Sequence, residues 1–183
     1  MPFRIHPLRV GALLLSTALV VGGASSCSLL SPFTSCDGTE SRVRDLAALP
    51  LLASAPPGAK AAAGDAAAYS GCEDDSGDAW LSAGRLYAYP GTAQEVIAHY
   101  RKAAAADGWQ LHTPPSPHAD PDLEACFTQG EEGHFKQVTV NFVSPRELKE
   151  IYGQSLGPDF TTGLAYRVEA GSEADGARTP CWG

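Results

Sequence analysis

A chain of 183 residues with 21 acidic against 13 basic side chains, a formal net charge of -8, has the length of one domain preceded by a leader. A polyanion would be repelled by such a surface, and no basic stripe or aromatic platform offsets the repulsion, so nucleic acid is excluded as a partner. The same acidity disfavours a flat electrostatic contact with anionic lipid.

The leader comes first. Met1 to Arg9 carries Arg4 and Arg9 and no acid, Val10 to Val21 is an almost unbroken apolar run, and Gly22 to Ser26 are all small. That order is the charged, apolar and cleavage regions of an export signal peptide over residues 1–26. Val10 to Ala24 is shorter than the roughly 20 residues needed to cross a bilayer core, so the segment is read as cleaved. Its removal takes away two arginines and no acid, leaving the remainder more acidic still.

Ala24, Ser25, Ser26 and Cys27 form a small-residue string that ends in cysteine. It resembles the lipobox of bacterial lipoproteins, in which the Cys receives diacylglycerol, although Ala24 stands where that family usually has Leu. The resemblance implies lipid on Cys27 and a place on the extracytoplasmic face of the cell membrane. Simple secretion is the alternative. Residues 27–38 then form the lipidated N-terminus and a tether, and residues 39–183 a single extracytoplasmic domain. Ser28 to Ser35 reach at most about 30 Å when fully extended, so the domain would sit close to the membrane.

Cysteine usage agrees with export. Cys27, Cys36, Cys72, Cys126 and Cys181 are an odd count for an oxidising compartment. With Cys27 consumed by lipid, four remain for two disulfides. No pair is spaced CxxC, which weighs against a thioredoxin-type redox site or a zinc ribbon. Four cysteines allow three connectivities. The preferred one joins Cys72 to Cys126, on strands taken as neighbours, and Cys36 to Cys181, near the domain termini. The second joins Cys36 to Cys72 and Cys126 to Cys181.

In chain order, an amphipathic helix is predicted over Thr39 to Leu49, ended by Pro50. Ala53 to Ser70, rich in Ala, Gly and Pro, reads as loop or weak strand. Cys72 to Asp78 reads as an acidic turn before a strand over Trp80 to Tyr89. Thr92 and Glu95 form a capping box, and the helix it opens lines one face with Val96, Ile97, Tyr100, Ala103 and Ala104. His99, Arg101 and Lys102 then point outward, and Gly108 stops the helix. Trp109 to Leu111 is a short strand and Thr113 to Asp122 a Pro-rich connection. Ala125 to Gln129 and Phe135 to Val143 flank Gly130 to Gly133 as a hairpin, with Val138, Val140 and Phe142 on its buried face. Ser144, Pro145 and Glu147 start a helix through Tyr152. Leu164, Tyr166 and Val168 alternate with Ala165, Arg167 and Glu169 in a last strand before a Gly-rich tail.

The fold class is therefore α+β: an antiparallel sheet with one main helix on one face and a short N-terminal helix, stapled by disulfides. The unit from Tyr89, Pro90 and Gly91 through Val96, His99 and Tyr100 to Gly108 and Trp109 resembles one in uncharacterised actinobacterial envelope lipoproteins, and implies no activity.

Candidate chemistry is sparse. Gly153, Gln154, Ser155, Leu156 and Gly157 match the G-x-S-x-G string of a hydrolase nucleophile elbow, which needs a strand before the serine and a helix after it. Here a helix precedes it, Pro158 follows, and the last histidine in the chain is His134. Glu73, Asp74, Asp75 and Asp78 offer oxygen ligands without the EF-hand spacing, and read as a solvated turn. His112, His118, Asp120, Asp122 and Glu124 mix imidazole and carboxylate without the closed set a zinc site requires. Trp80, Tyr87, Tyr89, Tyr100, Trp109, Phe127, Phe142 and Tyr166 read as core, or as a binding site if a contiguous patch faces water. The reading is a non-enzymatic module without cofactor or metal, held to the membrane by N-terminal lipid and binding an envelope component or a small ligand. The rival is an enzyme using Ser155 or a metal in the His112 to Glu124 stretch. A third is a secreted inhibitor or interaction module, by fold-level analogy.

Overall fold

The computed structural model describes residues 34–64, 68–75, 78–112, 124–152, 156–178 and 181. The chain divides into two units, Met1–Ser31 and Pro32–Gly183, and every described residue belongs to the second. Cys27 lies outside the described residues.

Helix α1 (Glu40–Ala47) follows a turn in which the Thr39 amide and hydroxyl both donate to the Cys36 carbonyl, at 3.2 and 2.7 Å. Pro50 does more than end it. It opens a second helix, α2 (Pro50–Ala53), because a proline has no N–H to lose in a first turn and its φ already suits a helix. The break falls on Leu49, whose extended ψ of 125° is what a following proline imposes. Leu46, Leu51 and Leu52 are all buried.

Strand β1 (Lys60–Ala61) and the first residues of β2 (Ala68–Asp75) occupy part of the stretch read as loop or weak strand. Most of the acidic turn is strand as well: Glu73 and Asp74 are exposed on β2, paired with Trp80 and Ala79 of β3 (Asp78–Tyr89). Charges on an outer strand oppose the addition of another chain's strand. Helix α3 (Ala93–Ala106) carries the capping box at Thr92 and Glu95 and buries Val96, Ile97, Tyr100 and Ala104. Gly108 has φ 76°, the left-handed stop the sequence predicts. Next come β4 (Gln110–His112), β5 (Glu124–Gln129) and β6 (Lys136–Val143), with β5 and β6 forming the predicted hairpin. Helix α4 (Pro145–Tyr152) is opened by Ser144 and Glu147, which bond each other's backbone N–H. Short α5 (Asp159–Thr162) leads into β7 (Leu164–Glu173).

These strands form one antiparallel sheet in the order β1-β3-β7-β6-β5-β4, with β2 beside the other half of the β3 edge that β1 occupies. The last strand thus enters the middle. Its sequence suits that place, because Ala165, Tyr166, Val168, Ala170 and Ser172 are all buried and only a central strand is covered on both faces.

Two cores result. On one face Leu81, Ala83 and Tyr87 of β3 and Val138, Val140, Tyr166 and Val168 of β6 and β7 pack against α1, α2 and α3. On the other, Leu86, Ala88 and Ala165 pack with Leu148 of α4 and Phe160 of α5. The α+β reading holds. On the second face, α4 and α5 cover one end of the sheet.

The preferred disulfide pairing is wrong, and the second pairing is the one formed. Cys36 joins Cys72 and Cys126 joins Cys181, with Cα–Cα distances of 5.7 and 5.8 Å. Between β2, which holds Cys72, and β5, which holds Cys126, stand β3, β7 and β6. Four strand spacings are roughly 19 Å, far beyond the roughly 7 Å a disulfide can bridge. The two side chains also leave the sheet on opposite faces. Cys72 pairs in register with Leu81 of the helical core, whereas Cys126 alternates with Ala125 and Phe127, which belong to that core.

Candidate functional site

Few of the sequence candidates meet. Ser155 lies outside the described residues, and the element before it is helix α4 where an elbow requires a strand. His118, Asp120 and Asp122 also lie outside them. His112 stands on β4, sharing a 2.7 Å hydrogen bond with the Thr128 hydroxyl, and Glu124 opens β5. Among the described residues no three His, Cys, Asp or Glu side chains gather as a metal site, and no helix is long and apolar enough to cross a membrane. Of the aromatic set, Tyr87, Tyr100, Trp109, Phe127 and Tyr166 are buried, and Trp80, Tyr89 and Phe142 half-buried. They build core. Tyr87 stacks on Tyr166 at 5.4 Å and Tyr100 meets it edge-on at 6.0 Å.

A cleft of about 500 Å³ opens between α1 and the β5–β6 turn. That volume lies within the range of small-molecule sites. Arg42, Asp45 and Leu46 line it from α1, where spacings of three and four residues place side chains on one helical face. Gly133, His134 and Lys136 form the opposite wall, and Leu81 and Ser172 complete the lining. Leu46 and Leu81, 2% and 0% exposed, close its base and belong to the core beneath it. Asp45 and His134 are exposed at the rim and Lys136 is half-buried.

Both walls are fastened to the end of β7. Arg42 donates to the Ser172 hydroxyl at 3.0 Å, to the Glu173 carbonyl at 2.9 Å and to the Ala174 carbonyl. The Ser172 hydroxyl donates to the Phe135 carbonyl at 2.6 Å. The Phe135 amide donates to the Gly176 carbonyl at 3.1 Å, and Arg178 lies 5.1 Å above the Phe135 ring. Gly176 has to be glycine: its φ is 75°, and a Cβ there would fall 2.0 Å from the Gly133 carbonyl oxygen.

Two polar constellations stand apart from the cleft. Ser54, at the end of α2, shares a 3.0 Å hydrogen bond with His99 Nε2 of α3, so His99 is half-buried rather than outward. Burial, followed by the charge of Lys102, holds its pKa below the ordinary histidine value, which keeps the ring neutral near pH 7. On the sheet face away from α3, Tyr69 donates to Glu169 at 2.5 Å and Arg167 Nε stands 3.5 Å from the same carboxylate oxygen. The Tyr69 ring occupies the space a side chain at Gly84 would fill. Burial first, then the bond and charge of Glu169, push the Tyr69 hydroxyl pKa upward.

Sequence reasoning missed Arg42, Asp45, Lys136 and the Ser54–His99 pair. Local pattern predicted α1 and the hairpin, but 132 residues separate Arg42 from Ala174, and no periodicity signals a partner at that distance. No known family model matches the chain, and neither a curated protein nor a solved structure shows significant similarity to it.

Proposed function

We propose that the domain is a non-enzymatic binding module working on the extracytoplasmic side of the membrane, held there by lipid on Cys27, with the cleft between α1 and the β5–β6 turn as its ligand site. The observation that carries the reading is the cleft itself: about 500 Å³, closed at its base by Leu46 and Leu81 and rimmed by Asp45, His134 and Lys136, which is the size of a small-molecule site with a few polar groups to orient a ligand. Two disulfides suit an oxidising compartment, and the apolar leader before Cys27 supports the address. The test of the site is the neutral dye N-phenyl-1-naphthylamine, titrated into the folded domain with NMR detection. Shifts confined to residues around Leu46, Leu81 and Lys136 support it; shifts elsewhere, or none, overturn it. For the address, Cys27→Ser should release the protein into the medium, and an unmodified mature N-terminus at another residue would refute lipidation.

A second reading rests on the hydroxyl–imidazole pair. Ser54 and His99 have the separation of a nucleophile and its base, which makes a hydrolase the alternative. Labelling by a fluorophosphonate that is lost in Ser54→Ala would favour it; an unlabelled parent leaves the bond as a tie between α2 and α3.

A further inference from the structure

We infer that the cleft between α1 and the β5–β6 turn is built for a small monoanion, a carboxylate or comparable acid, received by Lys136 and His134. The inference rests on the cleft being a ligand site, as proposed above.

Charge balance is the first ground. Acidic side chains outnumber basic ones by 21 to 13 over the chain, yet among the described residues the cleft lining holds Arg42 and Lys136 against Asp45. The lining therefore reverses the sign of the molecule around it. Glu131 and Glu132 belong to the same turn but are exposed and do not line the cleft.

The second ground is that the two cations, Arg42 and Lys136, are not already neutralised. The oxygens Arg42 contacts belong to a hydroxyl and two carbonyls, none of them an anion. Its positive charge is fixed at the back of the cleft. Lys136 makes no ion pair among the described residues, and its register partner across the hairpin is the neutral Gln129. An ammonium with no counter-ion of its own is free to form a charge-assisted hydrogen bond with an incoming carboxylate.

The remaining lining sets the rest of the class. Asp45, on the α1 wall, repels a second negative charge, which favours a monoanion over a dianion.

The experiment uses the folded, oxidised domain with N-phenyl-1-naphthylamine as reporter and three eight-carbon competitors: octanoate, 1-octanol and octylamine. Octanoate should displace the dye at a concentration at least tenfold lower than either of the others. In the double variant Lys136→Gln/His134→Gln, that advantage should vanish, and a parental melting temperature with both disulfides intact shows that the variant is folded. Octanol or octylamine competing as well as octanoate, or an octanoate advantage that survives the double substitution, overturns the inference and leaves the cleft standing. A dye that does not bind in the cleft removes both.

Discussion

The two disulfides should hold a large share of the domain's stability, and their contributions can be worked from the structure. Cys126→Ala/Cys181→Ala opens a link across a sequence separation of 55, which the chain-entropy relation converts to about 4.2 kcal/mol. For Cys36→Ala/Cys72→Ala the separation is 36 and the value about 3.8 kcal/mol. The two variants should thus lose nearly equal stability, each with a melting temperature about 10 °C or more below the parent. Without either bridge the loss is about 8 kcal/mol, comparable with the whole net stability of a typical domain at about 5–15 kcal/mol. The quadruple variant should be at least partly unfolded at 37 °C. Urea denaturation of the parent and the three variants supplies the energies, and non-reducing peptide mapping supplies the connectivity. A double variant losing less than about 1 kcal/mol would refute the loop-closure account for that bridge. A peptide linking Cys72 to Cys126 would refute the strand order itself.

Among the described residues, the buried hydroxyls of Tyr100 and Tyr166 face only each other and make no well-formed hydrogen bond, whereas that of Tyr87 donates to the Leu52 carbonyl at 2.8 Å. Tyr166→Phe should therefore be neutral or stabilising and Tyr87→Phe should cost about 1 kcal/mol; urea midpoints in the reverse order would contradict the assignment. His99 has a folded-state pKa below its ordinary value, through burial and then Lys102, so the unfolded chain takes up the proton first. Its contribution is fully present above about pH 6.5 and is lost as the pH falls toward the folded-state value. Between pH 7.5 and 5, His99→Gln should lose less stability than the parent, and equal slopes would dismiss the effect. A Cβ at Gly171 would fall 2.1 Å from the Trp80 ring, so Gly171→Ala should cost about 1–3 kcal/mol by forcing the indole off the strand. Unchanged tryptophan emission together with unchanged stability would show that the ring does not rest there.

Local chemistry was enough to read much of this protein. Capping boxes at Thr92 with Glu95 and at Ser144 with Glu147, the left-handed stop at Gly108 and the alternation of Val138 and Val140 all depend on residues within a turn or two of one another. Those elements and the α+β class were legible for that reason. Pro50 was misjudged because the same ring that ends one helix suits the first turn of the next, and the choice depends on Leu51 and Leu52 finding a core to enter. What only the tertiary structure decided is the arrangement across the sheet. β7 inserts between β3 and β6, which puts Cys72 and Cys126 on distant strands and opposite faces, and brings Ser172 to Arg42 of α1. Burial of apolar surface drives that insertion without directional preference, so nothing in the spacing of cysteines or charges along the chain discloses which partners it will bring together. The cleft is a product of that step: its walls come from α1, the β5–β6 turn and the end of β7, and each is readable alone while their meeting is not.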